Sequence, residues 1–497
     1  MIFAKRDRCV ALSNPTLALC ASFAMVLIGA SPAFAALQIS SGQTMNVDCS
    51  GGVCSATSTD AVLNVGELAN MLSSSDVTVA SGNLARVIEI DASVSWTSTK
   101  RLVLDSYYSI AFNKPVVVAG TGALTITTND GGQGGDFRFF KKGHVEFWDL
   151  DSNLVVNGQS YILENKLKHL VSDIRHAPHS NYALAKNIGA GMRLYTESPV
   201  GAVSGILEGL GNKISGLKIT SSVDRATVAF VGQLTSQATL HNIGVVDVSV
   251  SGSGVEQCAG ALVGVNEGTV ANVYATGEII ATGAQSTVGG LVCSNQFGTV
   301  TRSESDVTIS GGSDATVGGL AGLSLGFDNS DGFVMESYAR GAATGGANAM
   351  VGGLVGNNWG GSIWNSYATG RVTGGASAAV GGLVGGNLDN PGEGSIPVVN
   401  SSYSTGVVTG GTSATVGGLI GQDAADSQIT SAYWDLDASG INDPHQGAGN
   451  IADDPGITGL TTEQFKSGLP AGFSPAIWKE KANINNGYPY LIDLPPN

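Results

Sequence analysis

Between residues 255 and 435 apolar positions return in phase. The phrase VGGLVG, or a close variant, stands at 259–264, 288–293, 317–322, 351–356, 380–385 and 416–421. Its leucines, Leu262, Leu291, Leu320, Leu354, Leu383 and Leu419, are spaced by 29, 29, 34, 29 and 36 residues. A period of this size predicts stacked units that each touch only their neighbours. Within a unit, three short pieces such as VGGLVG, SIWNSYATG and RVTGG are rich in Val, Ile, Thr and Tyr and are separated by Gly or Asn. Such residues favour strands, and no piece has room for a helix. The expected fold is all-β: a right-handed parallel β-helix (β-solenoid), one coil per unit, with coils ~4.8 Å apart. Stacking places like on like. Tyr274, Glu304, Tyr338, Tyr367, Tyr403 and Tyr433 are expected in one column, and Asn266, Asn295, Asn357 and Asn387 in another.

Elsewhere the pattern is less regular. Residues 37–130 alternate in the strand manner at about strand-plus-turn spacing, as in VIEI at 87–90 and LTIT at 124–127. Asn64, followed by Glu67, Leu68 and Leu72, predicts a capped helical turn. From Ile162 to Ile174, Leu163, Leu167, Leu170, Val171 and Ile174 share one helical face. After Tyr433 the period stops. Thr461 with Gln464 marks a short capped helix, and Trp478, Tyr488 and Tyr490 supply aromatics to cover the last coil. At the other end, Lys5, Arg6 and Arg8 precede an apolar run and an Ala33-Phe34-Ala35 cleavage pattern. The division expected is therefore a signal peptide at 1–35, N-terminal β-helix-like coils at 36–160 and a helical spacer at 161–200. Lead-in coils with a degenerate repeat follow at 201–254, the regular repeats at 255–435 and a C-terminal cap at 436–497.

The repeats resemble the GLUG motif of exported bacterial proteins: GGLVG, then NSYATG, then V-T-GG. The resemblance covers about residues 255–435 and points to filamentous-haemagglutinin-like surface proteins. The motif also occurs in some bacterial immunoglobulin-cleaving peptidases. The chain departs from it where Glu304 and Asp306 replace the Tyr and Thr of the third unit, and where DNSDG at 328–332 lengthens a loop. Residues 205–217, GILEGLGNKISGL, resemble the coil that leads into such repeats.

Composition narrows the class. Gly contributes 71 of 497 residues with no three-residue period, so collagen is excluded; 42% hydrophobic and 13% charged residues oppose disorder. The net charge of −16 argues against nucleic acid or an anionic membrane surface as partner. Outside the signal segment no apolar stretch is long enough to span a membrane. Of six cysteines, Cys9 and Cys20 lie in the signal segment, and Cys49 and Cys54 frame CSGGVC, a loop that a disulfide could close. Cys258 and Cys293 are offset by six strand positions, ~20 Å along an extended chain, and are expected to be unpaired.

Candidate chemistry is sparse. The sequence holds no H-E-x-x-H, G-x-S-x-G or P-loop. Glu304 and Asp306 share one strand side at i, i+2 and break the repeat, which makes them the candidate catalytic carboxylates for glycoside chemistry. Asp435, Asp437 and Ser439 begin an oxygen-rich loop of the Ca²⁺-binding kind, although its twelfth position is Gln446 rather than Glu; an ordinary turn is the competing reading. No other cofactor is expected. The function expected is that of an exported, adhesin-like protein, secreted, surface-bound or periplasmic, which binds glycans or other surface polymers without transforming them. A polysaccharide lyase or hydrolase, and a structural matrix component, are the competing classes.

Overall fold

The computed structural model describes residues 35–132, 134–140, 142–327, 332–390 and 394–496. Most of the expected signal segment, up to Phe34 and including Cys9 and Cys20, and the loop residues 328–331 lie outside the described residues. The chain is all-β with a few short helices. Nearly every strand pairs in parallel with its counterpart one coil further on, at spacings set by the repeat: Tyr274 lies beside Glu304, Tyr338 beside Tyr367, and Tyr367 beside Tyr403. Long sheets result, of 16, 15, 8 and 7 strands. The marker leucines all point inward and are fully buried.

Each regular coil contributes four strands rather than three. In one coil these are Thr269–Ala271, Tyr274–Ala281, Thr287–Gly289 and Val292–Gln296. The VGGLVG phrase is not one extended piece, because the chain folds sharply at its glycines. A Cβ on Gly289 would lie 1.8 Å from the carbonyl oxygen of Val292, and one on Gly290 2.0 Å from that of Gly319. Only glycine permits so close a corner. This corrects the expectation for Cys258 and Cys293. The two legs lie side by side, Cys293 Sγ sits 3.4 Å from the Thr287 carbonyl, and Thr287 is in register with Cys258 one coil below. Cys258 and Cys293 are therefore joined, with Cα atoms 5.6 Å apart. A second disulfide links Cys49 and Cys54 across the hairpin of Val47–Ser50 and Val53–Ala56.

The asparagine ladder is shifted by one residue at one rung. Asn266 pairs with Asn295, Asn295 with Ser324, Ser324 with Asn358, and Asn358 with Asn387; Asn357 belongs to the neighbouring column with Leu323. Amide hydrogen bonds run up the ladder, Asn266 Nδ2 to Asn295 Oδ1 at 2.7 Å and Asn358 Nδ2 to Asn387 Oδ1 at 2.8 Å. It ends on Asp423, which accepts from Asn387 at 2.6 Å.

Two coil stacks are joined near residue 157. Asn157 and Gly158 both take positive φ, as a two-residue hairpin requires, and Asn153–Val156 pairs antiparallel with Gln159–Glu164. The helix expected from Ile162 starts later and is Leu167–His176. Ile162 and Leu163 are instead extended beside Tyr182 and Ala183. The helix buries Leu167, Leu170 and Ile174 against the stack. Asn64 caps the helix Val65–Leu72, and Thr461 forms a full capping box with Gln464.

The tyrosine column faces outward from its coils yet is buried. Tyr338, Tyr367 and Tyr403 stack at centroid distances of 4.7 and 5.0 Å, and the C-terminal segment covers them with Phe465, Phe473 and Trp478. That segment continues along the stack. Tyr433 Oη donates to the Ala471 carbonyl and Tyr403 Oη to that of Pro489, while Asp493 reaches Arg138 on the last coil of the first stack.

Candidate functional site

The groups that gather where the two stacks meet come from one corner of successive coils. Asn242, Asn272, Arg302, Glu336, Asn365 and Ser401 occupy equivalent corner positions, each in the left-handed backbone region. Asn suits that conformation; Arg and Glu are unusual in it. Arg302 uses its place to reach across: Nη2 lies 3.2 Å from Asp136, and Nε donates to Asn272 Oδ1 at 3.0 Å. Asn272 Nδ2 in turn donates to Asp136 at 3.3 Å. His241 lies between Asp136, 3.5 Å away, and Glu208, 2.9 Å away.

The electrostatics follow from burial and pairing. Burial alone would push His241 down, but Glu208 and Asp136 outweigh it and raise the imidazole to about 9. Burial alone would raise Asp136; His241, Arg302 and Arg138 together hold it well below the usual carboxylate range. Arg138 is tied to Asp493 at 2.6 Å. Beside this network opens a cavity of about 460 Å³ whose walls include Arg138, Phe139, Asn242, Asn272, Tyr274 and Glu304, closed on one side by Asp493 and Leu494.

Glu304 and Asp306 share the outward side of strand Glu304–Gly311 but meet different surroundings. Glu304 replaces a tyrosine in the column and is buried; it lines the cavity and accepts a hydrogen bond from Tyr338 Oη. Burial pushes its carboxyl up, Arg340 draws it down, and Asp306 adds a smaller upward push. Asp306 is about half exposed and lies 3.6 Å from Arg340 Nη2. Asp435, Asp437 and Ser439 do lie together, but their oxygens face protein donors. Asp435 Oδ1 caps the helix Leu436–Ser439 through the amides of Asp437 and Ala438, and Oδ2 accepts from Thr462 and Tyr488, each at 2.7 Å. Asp437 accepts from the Thr462 amide and Ser439 Oγ from that of Ile441. Among the described residues no group of three or more His, Cys, Asp or Glu side chains is placed to hold a metal ion, and no helix is long and apolar enough to cross a membrane.

Sequence reasoning passed over Asp136, Glu208, His241 and Arg302. The readable signal was Arg302 itself, a charged residue in a corner column otherwise populated mainly by Asn and Ser. Its partner Asp136 is 166 positions away and could not be named from the pattern.

The GLUG motif family model matches residues 347–373, close to one full coil, from Met350–Gly352 to Val372–Gly374. No curated protein matches the chain. Among solved structures, an immunoglobulin A1 protease candidate from Bacteroides ovatus is similar over 67% of this chain and 92% of its own, at 20% identity and a TM-score of 0.42. An IgA1 protease is similar over 48% of this chain and 21% of its own, at 20% identity and a TM-score of 0.29.

Proposed function

We propose that the chain is an exported, right-handed parallel β-helix, adhesin-like in role, that binds glycans or other surface polymers without transforming them. The supporting observation is the cavity at the junction of the stacks. Aromatic faces (Phe139, Tyr274) and amides (Asn242, Asn272) line it beside charges that already hold one another. Apolar walls with a few fixed polar groups suit recognition. Catalysis needs a group left poised to give or take a proton, and here Asp136, Arg138 and Arg302 are all engaged in ion pairs.

Glu304 favours a second reading. It is a buried carboxyl, raised by its surroundings, in contact with the same cavity. A hydrolase or lyase would use it as the acid. Residues 36–497 offered a panel of bacterial, plant and host polysaccharides, with and without Ca²⁺, should retain at least one polymer at unchanged chain length. Shortening that disappears in the Glu304→Gln/Asp306→Asn variant would replace the binding reading with the enzymatic one. Neither retention nor shortening would leave a structural role.

A further inference from the structure

We infer that the outer face of the eight-stranded sheet is a track for an extended, neutral polysaccharide chain laid along the stack. This rests on the polymer-binding reading above and gives it a second place, apart from the junction cavity. The sheet runs from Val200–Val203 to Ile420–Asp423, one strand per coil. One row of outward positions is in register through Gln233, Val265, Ser294, Leu323, Asn357 and Gly386, of which Ser294 and Gly386 are buried. Two residues further along the strands a parallel row includes Gln296 beside Leu325 and Trp359 beside Leu388.

The two ends of this face differ and are continuous. Near the helix Leu167–His176 the face forms an open groove of about 740 Å³, with Arg175, Glu197, Gln233, Glu267 and Gln296 among its walls. Gln233 Nε2 donates to Glu267 across it at 3.1 Å. Gln296 is the last groove residue, and the next residue, Phe297, begins a line of exposed rings. Phe297, Phe327 and Trp359 are 41%, 42% and 40% exposed, and the first two meet edge to face at 5.7 Å. Isolated exposed apolar residues need no explanation, but here three exposed rings stand on successive coils, two of them in contact.

Three features select the ligand class. Pyranose rings carry apolar C–H faces that lie on aromatic rings and hydroxyl edges that bond to amides, and this face supplies both in turn. Its elements recur once per coil, at ~4.8 Å, so they suit a polymer whose own unit repeats on a similar scale along the stack axis. Charge then excludes acidic polymers. Glu197 and Glu267 outnumber Arg175 in the groove, and Asp389, whose carbonyl accepts from the Trp359 indole, adds a carboxyl beside the rings. The whole chain carries −16.

Affinity electrophoresis of residues 36–497 through gels containing hydroxyethyl cellulose, laminarin, mannan or polygalacturonate tests the inference. The expected result is retardation by at least one neutral polymer and none by polygalacturonate. Phe297→Ala and Trp359→Ala should each weaken it about tenfold, the loss of one stacked ring. Phe327→Ala serves as a third variant that leaves the Trp359 hydrogen bond intact. Asn272→Ala removes part of the other proposed place, the junction cavity, and the retardation that remains should still depend on the three rings. Retardation indifferent to all three rings overturns the track, and if Asn272→Ala abolishes it, polymer binding survives at the cavity alone. Preference for polygalacturonate overturns the ligand class. Self-association that depends on Trp359, without retardation by any polymer, would make this face a contact between copies and overturn both readings.

Discussion

Asn357 and Asn358 are neighbours with opposite roles. Asn358 is fully buried, donates to Asn387 Oδ1 and to the Gly361 carbonyl, and so holds two coils together. Asn357 points the other way, as strand alternation demands, and stands beside Leu323 and Gly386 rather than in the ladder; the side-chain oxygens of both asparagines lack a partner. Asn358→Ala should therefore cost about 1–3 kcal/mol, because buried acceptors lose their donor. Asn357→Ala should stay within about 0.5 kcal/mol. Urea unfolding midpoints of the two variants check this, and equal midpoints would refute the register. The correct rung was readable: four residues past Leu262, Leu291, Leu354 and Leu383 stand Asn266, Asn295, Asn358 and Asn387, with Ser324 and Asp423 at the same offset from Leu320 and Leu419. The adjacent asparagine hid it. The tyrosine column was legible in full because each coil offers one aromatic at that place, apart from Glu304.

At the scale of elements, what the sequence concealed was reversal of direction. A run such as VGGLVC reads as one strand by composition, yet its glycines turn it into two legs, and that turn brings Cys293 over Cys258. The Asn157-Gly158 hairpin was visible as an Asn-Gly pair between alternating residues, although the strands on either side of it also fit coil spacing. The late start of the helix Leu167–His176 has a similar cause: Ile162 and Leu163 fit a helical face, but pairing with Tyr182–Leu184 holds them extended. The two disulfides should differ in weight. Chain entropy assigns a crosslink spanning 35 residues about 4 kcal/mol and one spanning 5 about 2 kcal/mol. Cys293→Ser should then lower the urea midpoint more than Cys54→Ser does. The reverse order would mean that stacking already fixes the coils without the bond.

For the whole molecule the open question is what makes two stacks and a C-terminal segment behave as one body. Their apolar cores are largely separate, so much of the coupling falls to the polar junction of Asp136, His241, Glu208 and Arg302, with Arg138 and Asp493 extending it to the C-terminal segment. Such a junction depends on pH with a definite sign. His241 titrates near 6.5 when unfolded and at about 9 in the fold, so the fold holds its proton more tightly. The stability it contributes is complete below pH 6.5 and is lost as pH rises through 9. Asp136, held low, contributes fully above the ordinary carboxylate range and loses its contribution only in acid. Between about pH 5 and 6.5 both terms are present, and the junction's own contribution should be flat there. From pH 7 to 9.5 the wild type should lose about 2–3 kcal/mol on the His241 shift. His241→Gln should be less stable than wild type at pH 6 and nearly level with it at pH 9.5, with that alkaline slope removed. If single-tryptophan variants, one retaining Trp359 to report on the repeats and one retaining Trp148 to report on the first stack, part company only at high pH, the junction is what couples the stacks. A slope that survives in His241→Gln would overturn the assignment of the alkaline loss to the junction.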